Sequence, residues 1–390
     1  MPDSDGRKPK GRNGTGRVLI VSQNHTGHGF TYARLLAQAV LDDGGVPVVA
    51  LTDDGLRSRE YALHLAPVAT RCEVARLPTA SLVPSRLLRL AHAHRCERVL
   101  VHDGDRFAVR LGLSLRPRRE ITFVVLVLSD PQWVCEHSFA RGLRLRFKRL
   151  ALRRTARLAR TRLLYLADPS QQIALAAGRV EGAVPAARIP RETRTIAPDP
   201  VLFEAGDLSP SELRRHLGLP VGCFWFLVAG GISPRKNLPL VLRALLPLAA
   251  DHVGLFVCGE LQPSVRRAVA PLLAEAASLG LPVVVHDRLQ ADHQLNCAIQ
   301  AVDCVVVAYS TDAPTSMMSK SVRAGRRVMV AGSDSLRRWA VNLGIGLVGP
   351  LEEQALTDLF RAAMVAPAPP PRHDLNHRAF VHAFLDDATT

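Results

Sequence analysis

Residues 223–245 read CFWFLVAGGISPRKNLPLVLRAL. From Cys223 to Ala229 the apolar run is unbroken and rich in aromatic and branched side chains, as a strand covered on both faces requires. Gly230 and Gly231 end the run, and a polar turn, ISPRKN, follows. NLPLVLRALLPLA then reads as a helix. The unit is therefore strand, glycine-bearing loop, helix.

The same grammar extends in both directions. Downstream, GLFVCGE and PVVVHD read as strands, HQLNCAIQAV as a helix, DCVVVAYS as a strand, SMMSKSVRAG as a helix and RRVMVAG as a strand. Upstream, RVLIVSQ opens the first half, a loop SQNHTGHGF follows, and Ala33, Leu36, Ala37, Val40 and Leu41 share one helical face. VPVVALT, ERVLVHD and ITFVVLVLS repeat the strand theme with helical stretches between. Alternation of this kind predicts α/β architecture with parallel sheets covered on both faces. Residues 139–163 predict one long helix with Leu143, Phe147, Leu150, Ala151 and Leu158 on its apolar side. The expected organisation is a polar tail at 1–16, a first domain at 17–190, a Pro- and charge-rich linker at 191–210, a second domain at 211–365, and a Pro-rich spacer with a short amphipathic helix at 366–390.

Composition narrows the function. The chain has 390 residues, 47% apolar and 22% charged, which fits a folded protein of two or three domains. Aromatic residues make up 5%, which argues against a set of base-stacking platforms, and no nucleic-acid recognition motif appears. No window approaches the roughly 18 uncharged apolar residues of a membrane span. The basic, polar N-terminus shows no secretory signal, so a cytoplasmic location is expected, with attachment to the inner membrane face as an extension of it. Seven scattered cysteines without a CxxC pair argue against a zinc site or disulfide framework. Of 50 cationic residues 45 are Arg, a bias that genome composition alone can produce. Its distribution says more: residues 1–196 hold 33 basic and 17 acidic residues, while residues 197–390 hold 17 and 18. Ten of the cations fall between Arg141 and Arg162, in a stretch with no acid. Such a stretch fits an anionic membrane surface, a polyanionic acceptor or a solvated face.

The second half resembles the donor domain of GT-B glycosyltransferases, in particular the large family-4 group of retaining enzymes. The resemblance lies in the order and spacing of SELRRHLGLP, GGISPRKNLPLVLRAL, LFVCGE, LNCAIQAVDCVVVAYS and RAGRRVMVAG. It implies two Rossmann-like domains with parallel sheets facing across a cleft, and a nucleotide-sugar donor held mainly by the second. The acceptor would be a sugar, a lipid-linked carrier or a natural product bound by the first. GT-B enzymes generally bind no metal, so no metal or other cofactor is expected, although Asp103 and Asp105 in HDGD could in principle share one.

Carried onto this chain, the family's basic pair maps to Lys236 and to Gly231, where the Arg is missing; Arg235 could substitute for it. A leaving diphosphate gains negative charge, so cations and helix N-termini belong at this turn. Glu260 ends the LFVCGE strand in the family's Gly-acid pair. The family's two Glu, with seven residues between them, map to Asp312 and Lys320. Lys320 cannot accept a hydrogen bond from a ribose hydroxyl, but it can meet phosphate, as can Thr315, Ser316 and Ser319 at the same helix start. In the first half the cleft loop carries His25, Gly27, His28 and Gly29, and His102 and Asp130 follow two later strands as candidate catalytic groups beside Asp312. The alternatives are a non-catalytic partner protein of the same fold and a sugar-nucleotide epimerase, which would need acid/base groups such as His286, Asp287 and His293.

Overall fold

A computed structural model describes residues 16–24, 29–78, 82–114, 120–128, 139–167, 195–311 and 315–386. These residues form two compact units. The first takes in the described residues up to Leu166, then those from 195 to 197 and those from Phe380 onward; the second takes in Pro198–Ala379.

The strands of the first unit are β1 (Arg17–Ser22), β2 (Val46–Thr52), β3 (Glu73–Leu77), β4 (Arg98–Val101), β5 (Thr122–Val127), β6 (Thr161–Ala167) and β7 (Thr195–Pro198). They lie in the order β3-β2-β1-β4-β5-β6-β7, and the pairs from β3 to β6 are parallel. The order reverses at β1/β4, the place where open α/β sheets bind their ligands. Helices α1 (Gly29–Asp42), α2 (Pro84–Ala93), α3 (Asp105–Leu113) and α4 (Phe139–Ala156) join these strands. β7 lies inside the stretch whose Pro and charge content reads as linker.

Two expectations for α4 are corrected. The helix stops at Ala156, and Arg160 at φ 54° turns the chain into β6, so residues 157–163 are not helical. Its buried side differs in part from the expected one: Ala151 is buried together with Leu152 and Thr155, and Leu158 just past the helix is half-buried against the core, while Phe147 and Leu150 are 53% and 58% exposed. Close packing against α3 explains the choice. A Cβ on Gly112 would sit 2.2 Å from the Ala151 carbonyl oxygen, and Thr155 Oγ1 donates to the Ala108 carbonyl at 2.7 Å. Only small side chains permit that approach where the two backbones meet, and Phe147 and Leu150 face outward.

The last helix of the chain belongs to this unit by packing. Its buried Phe380 and Phe384 join the core face formed by Ile20, Leu36, Val49 and Leu164, with the Phe380 ring 4.9 Å from Tyr32. Each buried Phe contributes about 2–3 kcal/mol of transfer free energy. Arg162 donates to the carbonyls of Ala383 and Phe384 at 2.7 and 2.8 Å, so this cation is spent on a helix C-terminus rather than on a surface.

The second unit repeats the plan. Helix α5 (Pro210–Leu217), capped by Ser209 and Glu212, leads into β8 (Phe224–Ala229). Then follow α6 (Leu238–Leu245), β9 (Val253–Cys258), α7 (Pro263–Ser278), β10 (Val283–His286), α8 (Asp292–Ala301), β11 (Cys304–Tyr309) and α9 (Ser316–Arg323). β12 (Arg327–Gly332), α10 (Asp334–Asn342), β13 (Leu347–Gly349) and α11 (Glu353–Val365) complete the unit, and α12 (Arg378–Leu385) is the returning helix already described. The sheet order is β10-β9-β8-β11-β12-β13, all parallel, with its reversal at β8/β11. Trp225, Leu227 and Ala229 face one core and Phe226 and Val228 the other, which is why the β8 run carries no polar alternation. The Pro-rich stretch after α11 packs on this unit: the ring of Pro371 lies where a Cβ on Gly325 would meet it at 2.9 Å.

Candidate functional site

In the second unit the carboxyl ends of β8, β9 and β11 converge on one turn. Gly230 follows β8 at φ 81°, and Gly259 follows β9 with its Cα pressed on Gly230: a Cβ there would lie 2.1 Å from the Gly230 carbonyl oxygen. Both positions therefore require glycine. Gly231 faces open space, with no atom within 4 Å of a Cβ added there. The next residues form a single 3₁₀ turn, Pro234–Lys236, which is sewn to the end of β11. The Asn237 side-chain amide donates to the Ala308 carbonyl at 3.0 Å, and the Ser310 amide donates to the Arg235 carbonyl at 2.9 Å.

This stitching places two cations over one aromatic ring. Lys236 Nζ and the Arg235 guanidinium lie 5.6 and 5.0 Å from the Tyr309 ring centroid. Arg235 is exposed, whereas Lys236 is 3% exposed and donates to the Ala229 carbonyl. Among the described residues neither cation has a carboxylate partner. Burial holds the Lys236 ammonium below the usual lysine pKa, and the charge of Arg235 adds to that. A Cβ on Gly230 would sit 3.1 Å from Lys236 Nζ, so the missing side chain leaves the ammonium reachable from the glycine pair. Glu260 stands exposed beside Gly259, and its carbonyl accepts the Ile232 amide at 2.9 Å.

The candidate groups of α9 divide by role. Thr315 Oγ1 accepts the Met317 amide at 3.2 Å and is the helix cap. Ser316 is half-buried at the first helical position. Ser319 is 1% exposed, and its Oγ has no hydrogen-bond partner among the described residues. Thr311 Oγ1, just past β11, is likewise buried without one. Lys320 is 5% exposed and pairs with Asp292 Oδ1 at 3.1 Å. Asp292, the first residue of α8, brings a carboxylate where the α9 helix itself offers an ammonium. Sequence reading passed over it; an acid opening a helix next to a glycine-poor loop looks like an ordinary first-turn charge.

In the first unit His102 ends β4 and is 1% exposed. Neither ring nitrogen has a partner among the described residues, and the nearest ring is Tyr32, edge-on at 6.0 Å. Burial lowers its pKa to about 4, so the imidazole is neutral at physiological pH and keeps one donor and one acceptor unspent. Gly29 opens α1 where a Cβ would lie 2.4 Å from the Asn24 carbonyl oxygen, which requires glycine there. Asp105 spends both oxygens, on Lys148 Nζ at 2.5 Å and on the Leu128 amide at 2.8 Å. In the second unit Asp287 does the same, accepting the Leu261 amide at 2.8 Å and Arg266 Nε at 2.7 Å. His25, Gly27, His28, Asp130 and Asp312 lie outside the described residues.

No family model matches the chain, and no curated protein matches it in sequence. Solved structures do match its fold along 95% of its length. One is Anabaena HepE in complex with UDP-glucose, at 19% identity, 95% coverage of that chain and a TM-score of 0.57. A second is WaaG, a glycosyltransferase involved in lipopolysaccharide biosynthesis, at 17% identity, 95% coverage and a TM-score of 0.55. A third is a Listeria monocytogenes protein assigned as a UDP-N-acetylglucosamine 2-epimerase, at 13% identity, 92% coverage and a TM-score of 0.53. These likenesses establish the fold as GT-B: two Rossmann-like domains, each built on a parallel sheet.

Proposed function

We propose that the protein is a glycosyltransferase that moves a sugar from a nucleotide-sugar to an acceptor hydroxyl. The observation that carries this reading is Lys236. A buried ammonium held, among the described residues, by the Ala229 carbonyl and by the ring and hydroxyl of Tyr309 has no carboxylate beside it, so the turn suits an anion that arrives from outside. It sits at the β8/β11 reversal beneath two glycines, where a diphosphate can approach the backbone closely. Arg235 at the same ring would add a second, exposed cation as the leaving group gains charge. The HepE–UDP-glucose likeness supports a UDP-sugar as the first donor to try.

The remaining groups take roles by chemistry. Ser319 Oγ, Thr311 Oγ1 and Lys320 Nζ offer donors to phosphate and sugar oxygens. Asp292 supplies the acceptor that Lys320 lacks, oriented by the ion pair. Neutral His102 can take a proton from an acceptor hydroxyl through its free nitrogen. Retention of configuration is carried over from the family resemblance, and the anomeric signals of the product test it. The epimerase alternative is weaker because Asp287, its best acid/base candidate, is tied to a backbone amide and Arg266.

The α4 face supports peripheral attachment to an anionic membrane. Arg146 and Arg154 flank exposed Phe147 and Leu150 there and exposed Arg157 follows the helix end, with no acid between Arg141 and Arg162. Anionic vesicles attract each such charge by about 1 kcal/mol, and the two apolar side chains can enter the headgroup boundary. Thermal shift with UDP-, GDP- and dTDP-sugars tests the donor reading, and stabilisation by none of them would overturn it. Co-sedimentation with anionic against zwitterionic vesicles tests attachment: equal binding to both, or none, refutes it.

A further inference from the structure

The carboxyl edge of the first sheet holds a cavity of about 990 Å³. It opens at the β1/β4 reversal, where an α/β sheet takes its ligand. Helix α3 forms one wall and presents Arg106 and Arg110, one turn apart and therefore on the same face. Arg106 has no hydrogen-bond or ion-pair partner among the described residues. Arg110 donates from Nη1 to the Leu82 carbonyl at 2.7 Å, which fixes its side chain along the wall.

The carboxylates of the same wall do not cancel these charges. Asp105 is matched by Lys148 at 2.5 Å and accepts the Leu128 amide, so that pair is neutral and occupied. Asp103 accepts from the Asn24 side-chain amide, and its carbonyl accepts Gln23 Nε2 at 2.7 Å. The lining thus sets three cations against two acids, and Arg106 is the cation among them without a partner among the described residues. Two carboxamides and a carboxylate suit the hydroxyls of a sugar, and a guanidinium without a partner suits an oxyacid that it can grip with two parallel N–H groups.

We propose that this cavity binds a sugar bearing an acidic group, a carboxylate or a phosphate, with Arg106 and Arg110 on the acid and Asn24 and Asp103 on the ring hydroxyls. In the transferase this sugar is the acceptor, and to that extent the inference rests on the transferase reading. The binding itself does not depend on it, because the donor turn lies in the other unit.

Calorimetric titration of the full chain with glucuronate, glucose 6-phosphate and glucose tests the proposal. The acidic sugars should bind at least about tenfold more tightly than glucose, and the tighter of the two identifies the acid. Arg106→Gln should weaken acidic-sugar binding by about tenfold and leave glucose unchanged, and added salt should weaken only the acidic probes. Arg106 is exposed and unpaired, so this variant should keep the wild-type melting temperature; Arg110→Lys, which retains a donor for Leu82, serves as the second variant. Equal behaviour of acidic and neutral sugars overturns the proposal, as does acid binding that survives Arg106→Gln and Arg110→Lys together. UDP titrated into the same samples separates the two ideas: loss of UDP binding with acidic-sugar binding intact removes the transferase reading alone.

Discussion

Lys236→Met keeps the length and unbranched stem of the side chain and deletes only its ammonium. The native group is 3% exposed and meets the Ala229 carbonyl and the ring and hydroxyl of Tyr309. Removing an ion from water costs several kcal/mol even after the protein relaxes. A hydrogen bond from a charged donor returns about 1.5–3 kcal/mol, and the aromatic ring about 1–2 kcal/mol. The balance leaves the ammonium a net burden in the free protein. Methionine removes it and leaves the Ala229 carbonyl short of one donor, at about 1 kcal/mol. The expected result is a second unit more stable by about 1–2 kcal/mol, a rise of about 2–4 °C per kcal/mol in its thermal transition. Nucleotide affinity should move the other way. Loss of one charge-assisted contact to phosphate in a low-dielectric site costs about 3 kcal/mol, close to a hundredfold in the dissociation constant of UDP.

Opposite signs make the test sharp, because a structural strut and an anion receptor predict different pairs of outcomes. Differential scanning calorimetry reads the first quantity and UDP titration the second. A variant that melts lower than wild type yet binds UDP with unchanged affinity would show that Lys236 braces the turn, and the reasoning from its missing counter-charge would fail.

Four further outcomes follow from the structure. Burial depresses the Lys236 pKa and a bound diphosphate raises it again, so between those two values the complex holds a proton that the free protein has lost. UDP affinity should then fall as pH rises through that window, by at most about tenfold per pH unit, and this component should vanish in Lys236→Met. Arg235 and Tyr309 are the charged and titratable groups facing the ammonium, and titrations in two buffers of different ionisation enthalpy should report proton uptake. In the free protein, stability should rise with pH from the depressed pKa toward the ordinary lysine value, because the unfolded chain binds the extra proton there. His102→Leu should raise stability by about 1–2 kcal/mol in urea unfolding, since two buried nitrogens without partners are removed, and should lower transfer by about a hundredfold or more; unchanged transfer would end its role as base. Gly112→Ala should destabilise the first unit by about 2–3 kcal/mol on thermal melting, because its Cβ would lie 2.2 Å from the Ala151 carbonyl oxygen and 2.5 Å from Thr155 Oγ1; a neutral result would mean the α3–α4 contact yields freely.

The sheets were legible because parallel strands are buried on both faces and write that fact as unbroken apolar runs. RVLIVSQ and CFWFLVAG needed no alternation to be recognised, and the glycines after them marked the carboxyl edge. The faces of α4 were not legible in the same way. Phe147 and Leu150 look like a core stripe, yet helix contact is decided by how near two backbones can come. Gly112, Ala151 and Thr155 win that competition, and a hydrophobicity pattern scores them as almost nothing. The basic stretch was overcounted for a related reason: Arg162 belongs to a strand, and its charge caps a helix more than two hundred residues away in sequence.

At the turn after β8 the sequence shows a cation but not its direction. A lysine after Pro-Arg at the start of a helix is ordinarily solvated, and nothing local turns it inward. What turns Lys236 inward is non-local: Gly230 leaves a gap, Gly259 seals the floor beneath it, and Tyr309 from another strand supplies the ring. Arg235 stays outside because that gap admits one narrow ammonium and not a planar guanidinium. The same logic covers Asp292, which acquires meaning only when α8 and α9 bring it 3.1 Å from Lys320. A charge-reversed position inside a family pattern looks like loss when read along one helix. Read across two helices, a carboxylate stands beside Lys320 on the neighbouring helix. Asp292→Asn should therefore weaken UDP binding more than that of 2′-deoxy-UDP, and equal weakening of both would place Asp292 in the scaffold and not in the site.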